Sequence, residues 1–496
     1  MQNTIDRKQL KELLQQGADR ARKLHRPILV SVTQAVAAPN YIDLFESIHK
    51  LDDDYAFFWV KPDKDFAIIS LGAAFLIEES GPHRFSNTAS AWKHLLEHAV
   101  IHDAVVCEPR ADIVSGPILS GGFVYDTAIP ATGIWQNFAD GSFTLPRLQV
   151  NMAGEQSNLT LNVLATAQLD AEIEADNLIG LWDQVINGMH IHQEQFHDGY
   201  YMINTEDLMP ASIWKQIVHD ATASIVSGAF EKTVLARTVK ITSNYAFNIK
   251  LALQRLCEFF PDAYVFAVHR KKHCFLGATP ERLAKLTGDS VMTTALAGTC
   301  RRGANPADDN LLGEQLLHSE KDLHEHQLVV QMIRATLSAF CNEIKIPEQP
   351  VLLKLRNVQH LYTPITGRLS TAKTLLDIVE ILHPTPAVCG LPRIAAQTYI
   401  RGHEKLDRGW YAAPIGWIDG HGGGEFAVAL RSALLIDENL GYLFAGCGIV
   451  ANSNPESEYQ ETILKLGTML FALGAEDRRK SMQTVESERR QNKHNK

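Results

Sequence analysis

No apolar run in this sequence reaches the roughly 18 residues of a membrane-spanning helix, so no membrane span is expected. Cysteine is sparse: Cys107, Cys257, Cys274, Cys300, Cys341, Cys389 and Cys447 are scattered, odd in number and without CxxC spacing. That pattern sets aside a disulfide framework or a zinc site and suits a reducing cytoplasm. Positive charge is in deficit, with a formal net charge of −10. The deficit argues against nucleic acid or an anionic membrane as partner. The first segment, MQNTIDRKQLKELLQQGADRARKL, lacks the apolar stretch of a secretory signal. Internal repeats and long low-complexity linkers are missing too.

What is present is an ordinary globular composition, 45% hydrophobic and 21% charged over 496 residues. Such a length permits two or three domains, or one large sheet-rich domain. Residues 8–24 carry Leu10, Leu13, Leu14 and Ala18 near helical spacing and read as an amphipathic helix. Residues 25–200 hold many short apolar runs broken by Gly, Pro and Asp, which predicts a sheet-rich first half. HIHQEQFH, from His190 to His197, is dense in histidine and reads either as a metal site or as a solvated loop or helix end. A helix is expected over 208–228 and a long one over 311–341. Strand-like runs include FEKTVLARTVKI, AYVFAVHR, CFLGATPERLAKL and SVMTTALAG, then YAAPIGWID, EFAVALRSALLI and GYLFAGCGIV with tight turns between them. GHGGGE at 420–425 reads as a hairpin turn, since no helix follows it. From Glu476 the tail is almost wholly polar, and disorder is expected there.

Several segments place charge where it needs a reason. A last helix is expected to start at Pro455, capped by Asn454. Glu458, Glu461 and Lys465 then share a face roughly 60° wide, while Tyr459, Ile463, Leu466 and Leu470 form an apolar one. The glutamates suit either a hard divalent cation or, as the helix alone favours, a solvated face with a Glu461–Lys465 pair. Glu325 lies beside Val329 and Met332 at helical spacing, which calls for a metal or a salt bridge. In strand alternation Arg431 shares a face with Ala427, Ala429 and Ala433, which leaves room for a carboxylate ligand or an Arg–Glu pair. Lys232 shares its strand face with Val234, Ala236 and Thr238. It is either a desolvated base or a strand-end lysine reaching solvent. Glu281, after a Pro turn, reads on its own as a surface residue.

The order of these segments carries more than each alone. FEKTVLAR, FLGATPERL, TALAGTCRRG, SEKDLHEHQLVV, VQHLYTPITG, ILHPTPAVCGLPR, RGWYAAPIGWID, EFAVALR and FAGCGIVANSNPESEYQETILKL together resemble the chorismate-binding family. The resemblance covers about residues 205–472 and is looser before them. It implies an α/β (α+β) fold with large, mostly antiparallel sheets, helices packed outside and the active site in a cleft. Residues 1–200 would form a sheet-rich scaffold and 205–472 the catalytic region. It also implies roles. Lys232 matches the general base that activates water, and Glu281 the general acid that protonates the departing C4 hydroxyl. Glu325 and Glu461 match Mg²⁺ ligands, with Glu458 in the same shell. Arg431 matches a substrate-carboxylate arginine, and Gly298, His360, Thr385, Gly446 and Lys465 match positions lining the site.

Within the family, Lys232 favours water over ammonia as nucleophile, because anthranilate synthases typically carry glutamine there. Ala297 stands where aminodeoxychorismate synthases often carry a nucleophilic lysine. The resemblance therefore implies an isochorismate synthase of a menaquinone or siderophore pathway, without an obligatory glutaminase subunit. The alternatives are a salicylate synthase, which adds pyruvate elimination, then an anthranilate synthase or a non-catalytic chorismate-binding subunit. The latter would be expected to have lost Lys232, Glu281 or a metal glutamate.

Overall fold

The computed structural model describes residues 5–47, 54–105, 114–129, 133–189, 202–355 and 358–475. Cys107, the histidine-dense stretch from His190 to His197 and the tail from Glu476 lie outside the described residues.

Hydrogen bonding runs through two large sheets that share a long strand. The first passes from Val100–Asp103 through Ile28–Ala35, Gln156–Ala165, Gly141–Ala153, Phe66–Glu79 and Tyr55–Lys61. It continues through Tyr264–Arg270, His273–Thr279, Ser432–Asp437 and Leu440–Ile449 to Lys232–Ser243. The second runs from Ile118–Phe123 through Pro414–Asp419, Gly424–Val428, Arg282–Thr287 and Ser290–Arg301 to Val358–Leu369. Gly141–Ala153 belongs to both: its end pairs with Gln156–Ala165 and its start with Ile118–Phe123. Among the described residues every pairing is antiparallel except that of Ile28–Ala35 with Val100–Asp103. The expected helices outside large antiparallel sheets are thus observed.

Alternation explains the apolar runs. In Tyr55–Lys61, Phe57 and Trp59 point into a core between the sheets, with Phe266, Phe275, Trp417 and Phe426. Phe58 and Val60 point the other way, into a second core with Leu10 and Leu14 of the helix Arg7–Leu24 and Leu253 and Leu256 of the helix Ile249–Phe259. A strand buried on both faces needs no polar residues between its ends. Each large side chain so buried contributes about 1.5–3 kcal/mol.

Two expected elements are divided. The helix expected over 311–341 is two, Pro306–Leu317 and Glu320–Ser338, because Ser319 leaves the helical conformation and its side chain caps the second by accepting from the Asp322 N–H. The run EFAVALRSALLI is two strands, Gly424–Val428 and Ser432–Asp437, because it crosses from the second sheet to the first. Arg431 sits at that crossing with φ +48°, so it follows no strand alternation. GHGGGE is the expected hairpin turn, between Pro414–Asp419 and Gly424–Val428.

Candidate active site

A cavity of about 290 Å³ is walled by both sheets and by the helices Glu320–Ser338 and Pro455–Ala472. Every residue lining it lies between Lys232 and Lys465.

The last helix starts as its sequence dictates. Asn454 accepts from the N–H groups of Glu456 and Ser457, and Pro455 opens the first turn. Arg237, from the strand that begins with Lys232, donates to Thr462 Oγ1 at 2.7 Å and fastens the helix to the sheet. Lys465 donates to the Gly446 carbonyl at 2.9 Å. These ties turn Glu458, Glu461 and Lys465 toward the cavity. Ile463, expected on the apolar face, is exposed; the buried residues of this helix are Glu458, Thr462, Leu466, Thr468, Met469 and Ala472.

Lys232 is buried, but not among apolar groups alone: its Nζ donates to Glu325 Oε1 at 2.8 Å. Room for this pair depends on Gly448, where a Cβ would stand 2.6 Å from Glu325 Oε1 and 3.0 Å from Lys232 Cε. Burial pushes the Glu325 carboxyl up, but Lys232, with Lys465 and Lys321, outweighs it and holds the group below its ordinary value.

Glu281 is no surface residue; it is 3% exposed. Its corner is fastened to Gly424–Val428: Thr279 Oγ1 donates to the Val428 carbonyl at 2.6 Å, and the Val428 N–H donates to the Glu281 carbonyl at 3.0 Å. Burial pushes its carboxyl up to about 7 against the opposing charge of Lys232. The expected wall residue Thr385 does not line the cavity. It stands behind Glu281, with its hydroxyl 3.5 Å from Oε1.

Arg431 meets a histidine rather than a glutamate. Its Nη2 donates to His360 Nε2 at 3.1 Å. A guanidinium can only donate, so Nε2 is the acceptor and Nδ1 carries the proton. Nδ1 then donates to Thr299 Oγ1 at 3.0 Å and faces the Gly298 carbonyl at 3.3 Å. Burial, with the charges of Arg431 and Lys465, holds His360 well below its ordinary pKa, in keeping with a neutral ring. Gly298 has φ +77° and interrupts the register between Ser290–Arg301 and Val358–Leu369. A bulge in that conformation favours glycine.

Two helices each present an acidic pair at i, i+3 within their first two turns: Asp322 with Glu325, and Glu458 with Glu461. All four line the cavity, facing Lys232, Lys321, Lys465 and Arg431, so the formal charges cancel. Each glutamate has its lysine: Glu325–Lys232 at 2.8 Å, Glu461–Lys465 at 2.7 Å and Glu458–Lys321 at 3.5 Å. Among the described residues no three acidic, histidine or cysteine side chains already stand as a metal-ligand set. The donor chemistry nevertheless fits a hard divalent cation, since every candidate is a carboxylate. The lysines also leave repulsion unrelieved. Burial and the charge of Glu461 push Glu458 up, while burial and the charges of Glu325 and Glu461 push Asp322 up.

A model of the chorismate binding enzyme family matches residues 12–474. The chain belongs to this family. It is 35% identical over 487 residues to isochorismate synthase MenF of Bacillus subtilis, covering 96% of this chain and 100% of that one. It is 39% identical over 472 residues to the salicylate biosynthesis isochorismate synthase of Pseudomonas aeruginosa, covering 94% of each. Among solved structures it resembles MenF, the menaquinone-specific isochorismate synthase of Escherichia coli. The TM-score is 0.73 at 24% identity, over 93% of this chain and 99% of that one, a likeness of fold.

In this chorismate binding enzyme the cavity brings together Lys232, Glu281, Gly298, Glu325, His360, Arg431, Gly446, Glu458, Glu461 and Lys465. Only Thr385, of the expected site residues, is set back. Sequence reasoning missed Lys321, Asp322, Tyr411 and Arg408, which also line the cavity. Asp322 and Glu325 repeat the spacing of Glu458 and Glu461, a signal that was available. Arg408 forms a buried pair with Glu404, four residues before it, at 2.6 Å, and its place in the cavity wall follows from the fold rather than from that spacing.

Proposed function

We propose that this protein is an isochorismate synthase: a Mg²⁺-dependent isomerase that adds water at C2 of chorismate and expels the C4 hydroxyl. The observation that carries this reading is the pairing of Glu281, a buried carboxyl protonated up to about pH 7, with the buried amine of Lys232 in one cavity. The reaction needs one group to take a proton from the incoming water and another to give one to the departing hydroxyl. Lys232 is the acceptor in this scheme and Glu281 the donor. No atoms are gained or lost, as an isomerisation requires.

Chorismate is a dianion, and the cavity's own charges already cancel. A bound dication would keep the balance. Glu325, Glu458 and Glu461 would hold it, and when bound it supplies charge neutralisation and electron withdrawal through the substrate carboxylate. Arg431, oriented by His360, grips a carboxylate. Gly446 leaves space for Tyr411, whose hydroxyl lies 3.2 Å from where a Cβ would stand.

The protein acts in this reading as a stand-alone, cytoplasmic enzyme of menaquinone or siderophore biosynthesis, with no glutaminase subunit, nucleic acid or membrane as partner. Its described cysteines are free thiols, and no described helix is long and apolar enough to cross a membrane. Incubating the pure chain with chorismate and Mg²⁺ tests the reading. Chromatography should find isochorismate with chorismate persisting at equilibrium, and a coupled assay should find little pyruvate. Stoichiometric pyruvate and salicylate would make it a salicylate synthase, and full activity in excess chelator would remove the metal.

A further inference from the structure

The three lysines that face the three glutamates are not alike. Lys232 is 1% exposed at its side chain and Lys465 15%, and each donates a hydrogen bond to its glutamate or to the backbone beside it. Lys321 is 40% exposed and stands 3.5 Å from Glu458 Oε1, an ion pair without the short contact of the other two. It occupies the second position of the helix Glu320–Ser338, adjacent to Asp322 and one turn before Glu325. Two of the three positive charges are therefore walled in, and one has a path to water.

Four carboxylates gathered in a half-buried cavity repel one another, and the repulsion is relieved only by cations close by. A divalent cation arriving at Glu325, Glu458 and Glu461 must share that space with the lysines. Those locked behind the wall cannot withdraw. A flexible, exposed lysine can withdraw, since its ammonium regains hydration as it leaves. We infer that Lys321 is the exchangeable counter-charge of the site: it neutralises Glu458 until a divalent cation binds, and swings to solvent as the cation takes its place. This rests on the reading of the three glutamates as cation ligands and adds the residue that competes for them.

The inference predicts that removing the Lys321 charge strengthens cation binding. A partly exposed ion pair is worth up to about 1 kcal/mol, which is about fivefold in affinity. The full chain is titrated with Mn²⁺ alone, without chorismate, and free Mn²⁺ is followed by electron paramagnetic resonance. Lys321→Met should bind Mn²⁺ about fivefold more tightly than the unaltered protein. Lys321→Arg, which keeps the charge, should bind as the unaltered protein does. In excess chelator the Tm of Lys321→Met should lie below that of the unaltered protein, and Mn²⁺ should raise it further. If the unaltered protein binds Mn²⁺ and Lys321→Met binds equally or more weakly, the exchange role is overturned and the cation site stands. If the unaltered protein binds no Mn²⁺, the cation reading falls, and this inference with it.

Discussion

Lys232 and Glu325 form an ion pair, Nζ to Oε1 at 2.8 Å, so the proposed base and a proposed metal ligand hold each other in the same cavity. Neither can be altered without leaving the other buried and unbalanced. Drawing Glu325 toward a cation loosens that contact. The placing of the base and the binding of the cation are thereby coupled in one ion pair.

Replacing the base should therefore act on both. Lys232→Ala should slow isochorismate formation by about 10²–10⁴-fold, the usual contribution of a general base. It should also lower the Tm in chelator, because Glu325 loses its partner, and Mg²⁺ should restore part of that loss. Turnover close to normal at neutral pH would refute the assignment.

Glu281 makes a prediction about pH. Its carboxyl, about 7 when folded against an ordinary 4.5, stays protonated where the unfolded chain has ionised. Stability therefore falls as pH rises from about 4.5 to about 7, and the loss is complete above that range. Glu281→Gln removes the penalty, so its Tm advantage over the unaltered protein should grow across the same interval and then level off. As an acid, Glu281 works only while protonated, so kcat/KM should fall on the alkaline side of about 7. A flat Tm difference across the interval would remove the protonated carboxyl from the mechanism.

Arg431 and His360 should separate in binding. A hydrogen bond to a charged group is worth about 1.5–3 kcal/mol, or tenfold and more in affinity. Arg431→Lys should raise KM for chorismate by about that factor, since an ammonium cannot make the planar two-point contact. His360→Ala should raise KM less, because the guanidinium remains but is no longer oriented. Equal KM values in all three proteins would show that Arg431 does not hold substrate.

Gly448→Ala probes the same pair from the backbone. The added Cβ would fall 2.6 Å from Glu325 Oε1, the mobile end of a side chain. The fold should survive with a lowered Tm, while the Lys232–Glu325 contact is pushed aside. Small misplacements of reacting groups cost up to about 10²-fold in rate, so a loss of tenfold or more is expected. Unchanged kcat would mean that the contact has no part in turnover.

How much of this could be read beforehand differs from residue to residue. The cap at Asn454, the start at Pro455 and the shared face of Glu458, Glu461 and Lys465 follow from local rules and are observed. The meeting of Lys232 with Glu325 does not, because 93 residues separate them and only the path of the sheets joins them. Their assignment to one site came from family resemblance. Arg431 shows a local rule failing: alternation assumed one strand, whereas the chain changes sheets there and the residue takes a left-handed conformation. Asp322 shows a rule left unused, since its spacing to Glu325 was in plain view.

The strand pairings between the two halves of the chain carry a consequence for dissection of the protein. Tyr264–Arg270 is bonded along one edge to Tyr55–Lys61, and Pro414–Asp419 to Ile118–Phe123. A fragment beginning at residue 205 would contain every cavity-lining side chain, yet expose two hydrophobic strand edges. Such edges recruit other chains. The fragment would aggregate rather than turn over, and a minimal version of this enzyme has to keep the first half of the chain as the clamp on the second.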